Sequence, residues 1–325
     1  MPASALRREA RHARTLVPPP DRTHHGRVST PPRPGPTAAL VAAVVALAAA
    51  CAPSSPTSLA AATPETVVVR APVVAAKAAV PPPPVLAPVD LASLPVVEPR
   101  VVVPGLPGDD GLAQLRSDDP ALGTWRTATV VRDTAAYDAP YGTPRGTVPT
   151  ATLDVPTVLP VLERRAGWLR VMVATRSALP SQDAAQVNGR TAWIREEDTV
   201  ASGTSWRLHL DRAALTLTID DGTTPRTVPV LAVGAPGTPT PAAAQFLTGS
   251  QWDQPGTYTP RSLLLSSQSE TMDAYDRRTG TSATAIHTSP FTATGAISNG
   301  CVRVTADVLD LLWGKVPPGT VLTVS

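Results

Sequence analysis

Cysteine and histidine are the side chains of this chain that could supply a nucleophile and its base. Cys301 is the only cysteine after position 51, and only His209 and His287 follow position 25. A thiol at neutral pH is only a few per cent thiolate, so it needs a base or a positive field beside it. The run 298–300, directly before Cys301, is small and flexible, so its backbone N–H groups can converge on one oxyanion. We therefore predict nucleophilic thiol chemistry at Cys301.

His287 is the better candidate for the base, because it shares the segment 286–304 with Cys301. His209 lies between two leucines in an alternating strand pattern far from this segment, and we predict a structural role for it. The alternative for Cys301 is a buried and inert thiol, since free cysteine is among the most buried residue types. Its small and polar neighbours, which include Arg303, would make a poor core and favour the reactive thiol.

Competing chemistries fit the sequence less well. Papain-like peptidases also use cysteine and histidine, but in that order along the chain, and no histidine follows Cys301. A serine hydrolase acting through Ser298 is disfavoured because residues 295–300 miss the G-x-S-x-G spacing of a nucleophile elbow. Too few histidines and cysteines follow the N-terminal segment to build a zinc site. We expect neither a metal nor an organic cofactor.

The segment around Cys301 resembles the signature of the L,D-transpeptidase (YkuD) family, in which a histidine and a spacer precede S-x-G-C-[V/I]-R. The resemblance covers residues 205–325. The family often has histidine where this chain has Asn299, and often glycine where it has Thr288. Four upstream segments continue the resemblance in the family's order: 206–211, 215–220, 237–241 and 263–270.

The resemblance implies a reaction on peptidoglycan stem peptides. Cys301 would attack the amide between the third residue, expected to be diaminopimelate, and the terminal D-alanine, while His287 accepts the thiol proton and returns it to the leaving amine. The other ring nitrogen of His287 is expected to donate to a backbone carbonyl. Backbone N–H groups of Asn299, Gly300 and Cys301, in the loop that begins at Ser298, would stabilise the oxyanion. A side-chain amine of a second stem would then form the cross-link.

Further residues are assigned to substrate binding. Arg303 would either hold a substrate carboxylate or brace the loop. Residues 250–280 are predicted to form a flap over the substrate groove. Trp252 and Tyr258 are predicted to bind substrate from this flap, which also carries Tyr275. β-Lactams of the carbapenem class are expected to acylate Cys301.

Two other functions stay open. One is a tethered, non-catalytic peptidoglycan-binding protein. The other is an L,D-carboxypeptidase in which water replaces the amine acceptor.

Residues 1–51 are predicted to be a signal or lipoprotein leader. Basic residues precede the apolar run 38–50, which is short for a membrane span but suits a signal peptide. The run 48–51, Ala-Ala-Ala-Cys, resembles a lipobox, so Cys51 is predicted to carry a lipid that anchors the protein to the outer face of the membrane. An ordinary cleavage site or an uncleaved anchor is the alternative. The expected localisation is extracytoplasmic, with activity in the cell wall.

The rest of the chain is predicted to hold a linker and two β domains. Residues 52–123 are rich in proline, alanine and valine without a sustained period, which predicts a disordered linker of polyproline character. Residues 124–201 resemble a small bacterial Src-homology-3-like β-barrel, a wall binder or a spacer. Residues 205–325 would form a YkuD-type β-sandwich with one or few short helices. The predicted fold class is mainly β.

The charge distribution argues against nucleic-acid binding. The net charge is +2, and residues 1–50 contribute +5 through seven arginines and two acidic residues. The remaining chain therefore carries −3, whereas nucleic-acid binders are generally basic.

Overall fold

The computed structural model describes residues 84–108, 113–252, 259–275 and 280–325. The leader 1–51 and half of the predicted linker 52–123 lie outside these ranges. The described residues belong to one compact unit, Ala78–Ser325. No helix among them is long and apolar enough to cross a membrane.

The first part of this unit is built from nine strands and one short helix. Seven of the strands form an antiparallel sheet in the order β3-β2-β8-β7-β6-β1-β9, and β4 and β5 form a separate hairpin. The elements are β1 Trp125–Val130, β2 Thr134–Tyr137, β3 Pro144–Val148, β4 Ala151–Thr152, β5 Val155–Pro156, β6 Val158–Arg165, β7 Trp168–Met172, α1 Pro180–Asp183, β8 Thr191–Arg195 and β9 Thr199–Thr204, with 3-10 turns at Leu91–Ser93, Pro120–Leu122, Ala184–Gln186 and Glu196–Asp198.

The second part is a ten-stranded sheet with one helix. The strand order is β12-β11-β10-β19-β14-β15-β16-β18-β13-β17. Three neighbouring pairs are parallel: β10 with β19, β16 with β18, and β13 with β17. The elements are β10 Arg207–Asp211, β11 Thr216–Asp220, β12 Arg226–Pro229, β13 Ala232–Gly234, β14 Gln245–Trp252, β15 Arg261–Gln268, β16 Ala283–Thr288, β17 Gly295–Ser298, β18 Val302–Val304, α2 Ala306–Leu312 and β19 Val321–Val324.

The mainly β fold class is confirmed, and so is the short helix after Cys301. In β11, Leu217 and Ile219 are buried and alternate with more exposed threonines, as the period of two predicts. In α2, Val308, Leu309 and Leu312 form the buried face. The likeness of the first part to a Src-homology-3 domain stays a prediction.

The linker prediction is wrong for its C-terminal part, because residues 84–108 pack against the seven-stranded sheet. Val103 is fully buried, and Val97 and Leu106 join the same core. Isolated backbone hydrogen bonds, and not a strand ladder, fix this segment. Its apolar residues therefore do not alternate regularly with polar ones. The amide N–H of Val97 donates to Thr147 O at 2.8 Å, and that of Val103 donates to Arg176 O at 2.8 Å. We call residues 95–106 the strap.

The two sheets share hydrophobic packing. Phe246 and Val321 belong to the ten-stranded sheet, yet they are buried in the core of the seven-stranded sheet. A second core lies between the ten-stranded sheet and α2. The first part of the unit is therefore packed directly against the part that carries Cys301.

Candidate active site

Strand register brings the predicted catalytic residues to one face of the ten-stranded sheet. On β16, His287 lies opposite Ser262 of β15 on one side and opposite Arg303 of β18 on the other. Side chains alternate between the faces of a strand. Ile286 and Val302 accordingly point into the core above α2, whereas His287 and Arg303 face a cavity. The sequence therefore folds so that every second residue of these strands lines the site.

The turn before β18 fixes Cys301. Gly300 has φ +110°, a backbone conformation that residues with side chains rarely adopt, and an added Cβ there would lie 3.2 Å from Thr284 Cγ2. Ser298 holds the turn with both functions of its hydroxyl. Its Oγ donates to Cys301 O at 2.6 Å and accepts from the Gly300 N–H at 3.2 Å. Cys301 itself is a free cysteine, and the residue as a whole is of intermediate exposure.

His287 is oriented by its own strand. Its Nδ1 lies 2.6 Å from Thr288 O, and because a carbonyl can only accept, Nδ1 carries the hydrogen. This is the predicted backbone contact, and it makes Nε2 the acceptor nitrogen. Burial lowers the pKa of His287 below its ordinary value, as does the charge of Arg303, while the bond to Thr288 opposes them. The imidazole is therefore neutral at pH 7, as a general base must be.

The thiol is also neutral at rest. Burial raises the pKa of Cys301 above its ordinary value, although hydrogen bonds from the Ala285 backbone and the Tyr275 side chain and the charge of Arg303 pull it down. A raised thiol pKa beside a lowered imidazole pKa disfavours a preformed thiolate–imidazolium pair. The geometry favours proton transfer during attack.

The predicted oxyanion hole needs a correction at Gly300. Its N–H is directed at Ser298 Oγ and so braces the turn. Within the part of the chain that the structure describes, the N–H groups of Asn299 and Cys301 donate to no backbone or side-chain acceptor. Two of the three predicted donors can therefore receive a developing oxyanion.

The cavity around these residues has a volume of about 620 Å³. Asn299, Cys301, His287 and Arg303 all line it. The Nε of Arg303 is buried and meets no acceptor among the described residues. Of the two roles predicted for Arg303, this placement favours contact with a ligand over bracing the loop.

Tyr275 forms part of the cavity wall, and residues on either side of it are bound by the first part of the unit. Tyr275 lines the cavity and contacts the thiol. Arg176 is only 3% exposed and donates to Asp273 O at 2.7 Å and to Gly280 O at 3.0 Å. Ser181 binds the Asp273 carboxylate through its N–H at 2.9 Å and its hydroxyl at 2.8 Å. These contacts fix Asp273 and Gly280, which flank Tyr275 in the sequence.

The remaining predicted residues lie elsewhere. Trp252 is 63% exposed and packs edge-on against Trp313 at 5.8 Å between ring centroids, away from the cavity. Its predicted substrate contact is therefore not supported. His209 is exposed, and its Nδ1 lies 2.9 Å from Thr323 Oγ1, far along the chain from the site. Tyr258 and Cys51 lie outside the described residues. Among the described side chains, no cluster of three or more histidines, cysteines and carboxylates is placed to hold a metal ion.

Sequence reasoning missed part of the cavity wall. Pro99, Arg100 and Leu153 line it from the strap and from the β4–β5 hairpin. These residues lie outside the segment that resembles the family, in stretches without motif or period, so only the three-dimensional packing reveals them. Tyr275 had a weak signal as an aromatic residue of the expected flap, but its contact with Cys301 did not follow from the sequence.

Comparison with known proteins identifies the second part of the unit. Residues 205–324 match the YkuD family, the L,D-transpeptidase catalytic domain. No curated protein matches the chain.

Solved structures of low sequence identity are also similar. An L,D-transpeptidase from Mycobacterium smegmatis is 13% identical, with 49% of this chain and 91% of that chain covered and a TM-score of 0.31. The catalytic domain from the E. faecium L,D-transpeptidase is 18% identical, with 37% and 96% covered and a TM-score of 0.27. L,D-transpeptidase 3 from Mycobacterium tuberculosis, in complex with a faropenem-derived adduct, is 11% identical, with 49% and 92% covered and a TM-score of 0.32.

Proposed function

We propose that this chain is a cell-wall L,D-transpeptidase that cross-links peptidoglycan through an acyl-enzyme on Cys301. The observation that carries the proposal is the placement of a free thiol and a neutral, oriented imidazole in one cavity. The match of residues 205–324 to the catalytic domain of that activity supports the substrate class. The cavity is large enough for a peptide, since ligand pockets are commonly about 300–1,000 Å³.

The mechanism has two halves. In the first, the Cys301 sulfur attacks the carbonyl carbon of the amide that precedes the terminal D-alanine of a tetrapeptide stem, and His287 Nε2 takes the thiol proton. The N–H groups of Asn299 and Cys301 stabilise the oxyanion. The C–N bond then breaks, His287 gives its proton to the departing amine, and a thioester remains on Cys301.

In the second half, a side-chain amine of another stem attacks the thioester. His287 accepts the proton of that amine and returns it to the sulfur as the C–S bond breaks. The products are the new amide cross-link and the free thiol. Water in place of the amine would give a carboxypeptidase, and the partly open cavity admits either acceptor.

Mass spectrometry of the intact protein tests this proposal. Incubation with purified disaccharide-tetrapeptide should add the acyl group to Cys301 and release D-alanine, and a second stem should yield a cross-linked dimer. A carbapenem should also add once, because its strained amide presents a carbonyl to the same thiol. Absence of both adducts on folded, reduced protein would favour the non-catalytic binding function, whereas release of tripeptide without dimer would favour the carboxypeptidase.

We also propose that the protein is anchored outside the cell through a lipid on Cys51. The support comes from the sequence, namely the basic and apolar run that ends in Ala-Ala-Ala-Cys. Two acyl chains hold a protein at a membrane where one does not. Cys51→Ala should release the protein into the medium or leave an unprocessed precursor in the membrane, as read by fractionation and mass spectrometry of the N-terminus. Wild-type processing and retention of this variant would rule out the lipid anchor.

A further inference from the structure

The strap and the β4–β5 hairpin complete the active-site cavity from outside the matched catalytic domain. Pro99 and Arg100 of the strap and Leu153 of the hairpin line the same cavity as Cys301. The matched domain begins at residue 205. One wall of the cavity is therefore a feature of this chain that the catalytic domain alone lacks.

The strap holds Arg100 in place on both sides. Upstream, the Val97 N–H donates to Thr147 O, and downstream the Val103 N–H donates to Arg176 O, both at 2.8 Å. The residue before Arg100 is tied to the catalytic sheet, because Gln268 Nε2 donates to Pro99 O at 2.7 Å. Gln268 is itself buried at the end of β15. The backbone that presents Arg100 is thus fixed relative to the sheet that carries His287.

The hairpin is docked as closely as the strap. Leu153 and Asp154 form its two-residue turn, with φ of 51° and 63°. Val155 packs onto β14 at Gly249, where an added Cβ would lie 2.9 Å from Val155 Cγ2. Leu153 therefore contributes a positioned apolar side chain to the cavity that Arg100 also lines.

The charged side chains that line the cavity are both cationic. Among the described residues that line it, Arg100 and Arg303 are charged at pH 7, and none is an aspartate or glutamate. Among the described residues Arg100 pairs with Glu98, at 3.2 Å, and the two side chains are 45% and 21% exposed. An exposed ion pair of this kind contributes little, so a ligand carboxylate can replace Glu98. A guanidinium suits that role because it binds a carboxylate through two parallel hydrogen bonds.

We propose that Arg100 forms a second carboxylate subsite of the cavity, with Leu153 as its apolar border. The inference rests on the proposed function, because it takes an acidic stem peptide as the ligand. Arg303, beside Cys301 and His287, is placed for the carboxylate next to the reacting amide. Arg100 then binds a carboxylate of the stem that does not react, and so selects acidic stems over amidated ones.

Equilibrium binding tests the subsite without relying on turnover. Calorimetry would measure the Kd of the disaccharide-tetrapeptide for Cys301→Ala and for Cys301→Ala combined with Arg100→Gln. We expect roughly tenfold weaker binding for the double variant, the loss of one charge-assisted contact. The matched control is Arg132→Gln in the same background. Arg132 is also an exposed arginine with an acidic partner, Asp198 at 2.9 Å, but it does not line the cavity, so the Kd should not change.

Stems amidated at one carboxyl group at a time identify the group that Arg100 binds. For one of these stems, Arg100→Gln should cause no further loss, because its carboxylate is already absent. An unchanged Kd in the Arg100→Gln protein, an equal loss with every stem, or no binding of the acidic stem would overturn the subsite. The proposed function fails separately, if wild-type protein binds the stem but forms no acyl-enzyme.

Discussion

Cys301→Ser is expected to abolish acyl-enzyme formation while leaving the fold intact. A hydroxyl is far harder to ionise than a thiol, and this site opposes even the thiolate, since burial raises the pKa of Cys301. A single neutral histidine cannot compensate for that difference. By comparison with nucleophile removal in a hydrolase, we expect a loss on the order of 10⁶-fold in turnover. The measurement is the rate of D-alanine release from the tetrapeptide stem.

The neighbouring hydroxyl cannot replace the missing thiol. Ser298 Oγ is buried and engaged with Cys301 O and the Gly300 N–H. Ser298→Ala is the informative companion variant, because it should loosen the turn and slow acylation while retaining the thiol adduct. An unchanged melting temperature for Cys301→Ser would show that the loss is chemical. Retention of a substantial fraction of wild-type turnover would remove Cys301 from the mechanism.

Local patterns were sufficient to predict the elements that carry the chemistry. The period of two in β11 and the apolar face of α2 are encoded within short windows. Cys301 and His287 were paired because one short segment contains both, and parallel pairing of β16 with β18 then places them at one cavity. Side chains alternate between the two faces of any strand, so this pattern can be recognised without knowing which strand pairs with it.

Distant contacts account for what the sequence did not predict. The strap is held by Thr147 and Arg176, which lie far along the chain, so a proline-rich segment without periodicity indicated disorder. Trp252 was assigned to substrate binding as an aromatic residue of the expected flap. In the structure its ring packs instead against Trp313, the residue that follows α2. Neither set of contacts can be predicted from residues that are close in sequence, because both depend on how the two sheets and α2 pack.

His287→Ala is expected to slow acylation roughly 10²–10⁴-fold, the usual effect of losing a general base. His209→Ala is the matched control, because that ring is exposed and bonded to Thr323 Oγ1, and its rate should equal that of wild type. A slow His209→Ala beside a normal His287→Ala would reverse our assignment of the base. Burst kinetics with a carbapenem would measure the acylation step separately from release.

The pH dependence follows from the pKa of the same histidine. Only the neutral imidazole accepts a proton, and burial lowers the pKa of His287 below its ordinary value of about 6.5. The base form therefore persists to lower pH, so wild-type acylation should hold its rate from pH 7 to about 6.5 and decline only below that. In contrast, alkylation of Cys301 by iodoacetamide should rise about tenfold per pH unit between pH 6 and 8, since its raised pKa keeps the thiol protonated there. A flat alkylation profile down to pH 5 would instead demonstrate a preformed thiolate–imidazolium pair and would contradict the general-base mechanism.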